Sequence, residues 1–192
     1  MSAAIENMFA ANEEQLTRWR KWLPQLRQEH RVTVSDESFN AFVTDAVKPV
    51  SSGRGRLTTV LPVLRGPTAA QEFQLYWPLI ASQQEASKKW DQFIFDDDHV
   101  RWYAGSENKS QDWHFEWQVI NLGANRNTTT ETVRKAAKDP LPNAGILAVG
   151  ALNPPWIKSM NGDDVPFVDL SGYEISVPGR HPWRSVPSLS FY

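Results

Sequence analysis

From residue 113 to residue 119, apolar and polar side chains alternate without interruption. Trp113, Phe115, Trp117 and Val119 therefore share one face of an extended strand, while His114, Glu116 and Gln118 project from the other. The spacing predicts a strand over 112–122 and another over 100–104, joined as a hairpin by the polar segment 105–111. Trp90, Phe93, Phe95, Trp102 and Tyr103 crowd the same region with rings. Such a hairpin is either the hydrophobic wall of a core or a platform for stacking sugars or unstacked bases. Strand alternation alone already accounts for the core reading.

A different period opens the chain. Over 4–29, Ile5, Phe9, Asn12, Leu16, Trp19, Leu23 and Leu26 recur at steps of four and three, the seam of an amphipathic helix. That seam either faces the chain's own core or joins a second helix, and the polar Asn12 is the residue type that fixes register in helix pairs. Pro24 lies inside the pattern and lacks an amide hydrogen, so a kink or restart near Trp22 is expected. Ser35, followed by Asp36 and Glu37, starts a second helix whose buried stripe is Phe39, Phe42, Val43, Ala46 and Val47, with Pro49 as its stop.

Residues 57–64 read as a strand, placed at a sheet edge by Pro62. The next segment has two readings. Phe73, Leu75, Trp77 and Leu79 alternate as in a strand, whereas Thr68 and Gln71 resemble a helix capping box, and the alternation is given more weight. Ser82 with Glu85 caps a helix running to Trp90, and Thr128 with Glu131 caps another that ends before Pro140. The apolar run 145–152 reads as a buried strand, and Asn161-Gly162 as a hairpin turn flanked by strands over 165–170 and 173–177. Beyond Pro178 the tail carries Trp183, Leu189, Phe191 and Tyr192 with no evident partner strand. The pattern is α+β: a mixed, mainly antiparallel sheet, an amphipathic N-terminal helix, two or three further helices and an extended C-terminal arm. It divides into a helical segment 1–30, a core domain 31–178 and an aromatic arm 179–192.

Composition narrows the function classes. The chain has 192 residues and a formal charge of -2, which argues against coating nucleic acid or anionic membranes by bulk electrostatics. It contains no Cys, removing disulfides, thiol nucleophiles and zinc-thiolate sites. No segment has the apolar length of a membrane span, and the acidic N-terminus has no secretion signal, so a cytoplasmic location or a place in a virus particle is expected.

Local chemistry is sparse. Residues 51–56 form a Gly/Ser/Arg loop in which Arg54 and Arg56 can meet a phosphate or stay solvated. Asp96, Asp97 and Asp98 beside His99 read as an acidic turn rather than a cation site, because consecutive side chains diverge. His114, Glu116 and Gln118 could supply a base, a carboxylate and an orienting group. The acid-x-basic strand of metal-dependent nucleases, which this pattern distantly resembles, has Lys where Gln118 stands. Asn153-Pro154-Pro155-Trp156 resembles the Asn-Pro-Pro-aromatic loop of amino-methyltransferases acting on adenine or cytosine. The resemblance covers four residues; it implies that Asn153 and a proline carbonyl accept from the target amino group while Trp156 stacks on a flipped base. Such an enzyme also needs a Gly-rich cofactor loop, which residues 52–56 match poorly.

These observations lead to the expectation of a non-enzymatic interaction or assembly component, such as a viral structural protein or a bacterial accessory factor. Its contacts with a second copy or another protein are expected from Leu16, Trp19, Leu23, Trp183, Leu189, Phe191 and Tyr192 at the two ends. No catalytic residue, metal or cofactor is assigned, and no membrane partner. The alternative is a small nucleic-acid-acting enzyme or binding protein using Arg54, Arg56, Trp102, Trp117, Asn153 and Trp156.

Overall fold

An eight-residue strand, β1 (Thr58–Arg65), runs through the most buried part of the protein, with Leu61, Val63 and Leu64 fully enclosed. The structure is a computed structural model that describes residues 10–49, 58–82, 96–105, 107–108, 110–122, 128–137, 143–153, 168–176, 183 and 187–189. The helices are α1 (Asn12–His30), α2 (Asp36–Asp45), α3 (Ala69–Ala81), α4 (Thr130–Ala136) and α5 (Asn143–Leu152). The other strands are β2 (Val100–Trp102), β3 (His114–Asn121), β4 (Val168–Asp169), β5 (Tyr173–Ile175) and β6 (Ser188–Leu189). They pair antiparallel as β1 with β3, β2 with β5 and β4 with β6, which makes the fold α+β.

The hairpin expected between 100–104 and 112–122 does not form. Strand β3 instead runs its full length against β1, from Arg65 opposite His114 to Thr58 opposite Asn121, and β2 pairs with β5. Length explains the choice: an eight-residue strand satisfies its ladder with an equally long partner, and β2 offers only three residues.

Two further segments expected as strands are helices. In α3, Thr68 accepts a hydrogen bond from the Gln71 amide at 3.2 Å, so the capping chemistry outweighs the alternation. Its buried positions Ala69, Phe73, Tyr76 and Ile80 recur at helical steps, which reading only the even spacing obscured. Helix α5 is buried along its length, and a helix covered on all sides shows the same unbroken apolar run as a two-sided strand. The other caps behave as their residue types suggest. Ser35 accepts from the Ser38 amide at 3.1 Å, and Thr129, one residue after the expected Thr128, caps α4.

Helix α1 continues through Pro24, with no restart near Trp22. Its seam enters the core: Trp19, Leu23 and Leu26 are buried, and Trp19 Nε1 donates to the Pro62 carbonyl at 3.0 Å. Trp19 also meets the Phe115 ring edge-on at 5.3 Å, while Phe39 and Phe42 of α2 lie 4.9 and 5.3 Å from that ring. The Phe115–Trp117 face of β3 is thereby packed under α1 and α2. The arm is also engaged within the chain, since residues 188–189 pair with 168–169 where no partner was expected. Ser82, expected to open a helix, ends α3 as its C-cap, and residues 83–90, the Asn161-Gly162 turn and most of the arm lie outside the described residues.

Candidate functional site: a buried carboxylate network

The opposite face of the β1–β3 pair carries Arg65, His114, Glu116 and Gln118, brought side by side by the antiparallel register. Glu72, in the first turn of α3, reaches this face from the interior and is fully buried. Its Oε1 accepts from Arg65 Nε at 2.7 Å and from the Gly66 amide at 3.2 Å. Its Oε2 accepts from the Tyr173 hydroxyl at 2.5 Å and from Trp102 Nε1 at 3.1 Å. A buried carboxylate is costly unless its lone pairs are met, and here four donors meet them. Arg65 then continues outward, donating through Nη1 to Glu116 Oε1 at 2.9 Å. Gln118 Nε2 donates to the same oxygen at 2.5 Å.

The electrostatics follow from this geometry. Burial pushes the Glu116 carboxyl up, but His114, Gln118 and Arg65 together hold it at about 2. Glu116 raises the His114 pKa against the opposing effect of burial; at 3.9 Å the pair interacts as charges rather than through a formed hydrogen bond. His114 Nδ1 lies 3.1 Å from the Asp112 carbonyl, which leaves Nε2 toward Glu116. Burial and the Glu72 charge push the hydroxyls of Tyr173 and Tyr76 well above the usual tyrosine range, so both stay protonated donors. Arg65 loses to burial and gains more from its two carboxylate neighbours, which keeps it a cation.

Chemically, Glu72 has no open lone-pair direction left for a substrate. The accessible end is His114 with Glu116, where a proton can be held. Sequence reasoning found His114, Glu116 and Gln118 and missed Glu72, Arg65 and Tyr173. Glu72 and Tyr173 are 101 residues apart. The one available signal was a Glu in the first turn of a segment with a helix cap.

The other expected site residues fall in different places. Trp19 and Leu23 are core residues and Leu16 is packed against them, so the α1 seam faces its own chain and is not a docking surface. Trp183 is half-buried, with the Arg101 guanidinium 4.2 Å from its ring centre. Leu189 belongs to β6. Trp102 is held by Glu72, and Trp117 packs on Phe42 at 5.2 Å with the Lys48 ammonium 5.4 Å from its ring. Both rings are thus engaged by their own chain.

Asn153 is fully buried at the end of α5. Its Oδ1 accepts from the Ala10 amide at 2.7 Å, and its Nδ2 donates to the Val149 carbonyl at 3.1 Å. The amide that would read a flipped base instead ties α5 to the start of α1, which removes the role implied by the methyltransferase resemblance. Arg54, Arg56, Trp156, Phe191 and Tyr192 lie outside the described residues. Asp96 closes a turn onto His99 Nδ1 at 2.5 Å. Among the described residues no group of three or more His, Asp or Glu could hold a metal ion, and no helix is long and apolar enough to cross a membrane. No protein-family model matches the chain, and comparison with curated proteins and with solved structures finds no similar protein.

Proposed function

We propose that this chain is a non-enzymatic interaction or assembly component that self-associates or docks on another protein. The observation that carries the reading is where its polar chemistry is committed. Glu72, Arg65 and Asn153, the most reactive or most recognition-like groups of the interior, each spend their hydrogen bonds on their own fold. Groups used this way specify a structure and leave recognition to surfaces.

The test is the mass of the full chain in solution over a wide concentration range, by sedimentation and light scattering. It is run beside a salt-dependent DNA titration and a binding assay with S-adenosylmethionine. An oligomer that dissociates on dilution, or a stoichiometric complex with another protein, is the expected result. A strict monomer that binds DNA with an affinity falling steeply with salt, or binds the cofactor, overturns the reading in favour of the nucleic-acid alternative.

A further inference from the structure

Among the described residues each strand pairs with a single neighbour and keeps a second edge, and this chain closes those edges unequally. In β1 the carbonyls of Val60 and Pro62 accept from Asn12 Nδ2 at 3.1 Å and from Trp19 Nε1 at 3.0 Å. The Tyr76 hydroxyl serves both the amide and the carbonyl of Leu64 at 2.9 Å. Val60, Pro62 and Leu64 therefore point their backbone groups away from β3, consistent with a proline that has no N–H to give the ladder. On β5, the Tyr173 carbonyl accepts from Arg134 Nη2 at 2.8 Å.

The register fixes what happens across the ladder. Val119, Trp117 and Phe115 face Val60, Pro62 and Leu64, so they form the non-hydrogen-bonded pairs and their own N–H and C=O groups point outward from the sheet. Among the described residues, no side chain or backbone group meets them. Val119, on this edge, is 39% exposed, and Val47, the neighbour of the Lys48 that covers Trp117, is 89% exposed. Such an edge is a template for one more strand.

We propose that the outer edge of β3 joins two copies of this chain, strand to strand and antiparallel, about a two-fold axis at Trp117. The inference rests on the reading above and names its surface and its partner. The strand is complementary to itself, which makes a second copy the fitting partner. Centred on Trp117, the pairing engages Phe115, Trp117 and Val119 together, with Phe115 opposite Val119 of the second copy. The apolar stripe Phe115–Trp117–Val119 then continues across the junction. On the other face, Glu116 lies opposite Gln118 of the second copy, a carboxylate against an amide. Shifting the centre to Glu116 sets two carboxylates face to face, and shifting it to Gln118 sets Glu116 against the apolar Ile120. The shift to Glu116 also sets Val119 opposite Trp113, outside the strand, and leaves its backbone groups unused.

The test compares the wild-type chain with Val119→Pro and Val119→Lys. Neither change touches the β1–β3 hydrogen bonds, because the Val119 amide points outward. Proline removes an edge donor, and lysine keeps the donor but adds a charge to the edge. Far-UV circular dichroism verifies the fold of each variant, and the lysine variant decides if the proline variant does not fold. Sedimentation is expected to show a wild-type dimer and, in the variants, association weakened by about tenfold or more. Hydrogen exchange of the Phe115, Trp117 and Val119 amides is expected to slow as wild-type concentration rises.

A folded variant that dimerises like wild type, or edge amides indifferent to concentration, overturns the edge proposal while leaving self-association standing. A wild-type monomer that forms a complex with a different protein also overturns the edge and leaves the functional reading intact. A monomer with no protein partner overturns both.

Discussion

Glu72 and Glu116 share the same arginine, yet removing them should have very different effects. Glu72 is fully buried, so Glu72→Ala leaves the Arg65 Nε, the Tyr173 hydroxyl and the Trp102 indole without their acceptor, with Arg65 held by Glu116 alone. Breaking a buried pair from one side costs about 3–5 kcal/mol, and urea unfolding should show a loss of that size. Glu116 sits at the wetter end, with a side chain 38% exposed, so the charge it contributes to Arg65 is screened and Glu116→Gln should cost about 1 kcal/mol or less. The same substitution should lower the His114 midpoint, read by NMR titration. His114 has a raised folded-state pKa, so its contribution is fully present below its ordinary value of 6.5 and is lost as pH rises through the folded value. Glu116 works in the opposite direction: its contribution is present above its ordinary 4.5 and is lost as pH falls toward about 2. The pair therefore contributes most between these two ordinary values, and Glu116→Gln should lower that plateau and flatten the slopes below 4.5 and above 6.5 in the stability–pH profile.

The elements differ in how far their residues announced them. Helix α2 was legible because Ser35, the acidic first turn and the Phe39–Phe42 stripe agree at short range. Helix α5 was not, because an apolar run carries no period when every side is covered; Gly145 sets how closely it approaches β3. A β-carbon there would collide with Ile120 Cδ1 and Gln118 Oε1, so α5 lies closer to β3 than any larger residue allows. Two terms oppose each other in Gly145→Ala. Helix propensity favours alanine by about 1 kcal/mol. Overpacking costs about 1–3 kcal/mol, and here the added carbon meets Ile120 at Cγ1 as well as at its Cδ1 tip, with Ile120 only 1% exposed. A net loss in thermal stability is expected, measured by melting temperature. Alanine at a helical position seldom destabilises unless a neighbour is this close, so a gain would show that α5 and β3 are not packed as described.

At the scale of the whole molecule, fold class was readable and topology was not. Antiparallel strands mixed with helices follow from period and composition. Which strand meets which depends on residues far apart in the chain, such as Trp19 reaching Pro62 and Tyr173 reaching Glu72. The same distance hid the fate of the N-terminal seam. Its apolar stripe fits a partner helix and a core equally well, and only the position of β1 decided between them. Asn153→Ala tests the long-range tie from α5 to the start of α1. It should cost about 1–3 kcal/mol on denaturation, since the Ala10 amide loses its acceptor. Glu72 imposes a broader condition. One carboxylate is bonded to the end of β1, to β2 and to β5 from a position on α3. Neither small sheet can melt ahead of the other without stranding a charge, so differential scanning calorimetry should give one peak whose calorimetric and van't Hoff enthalpies agree.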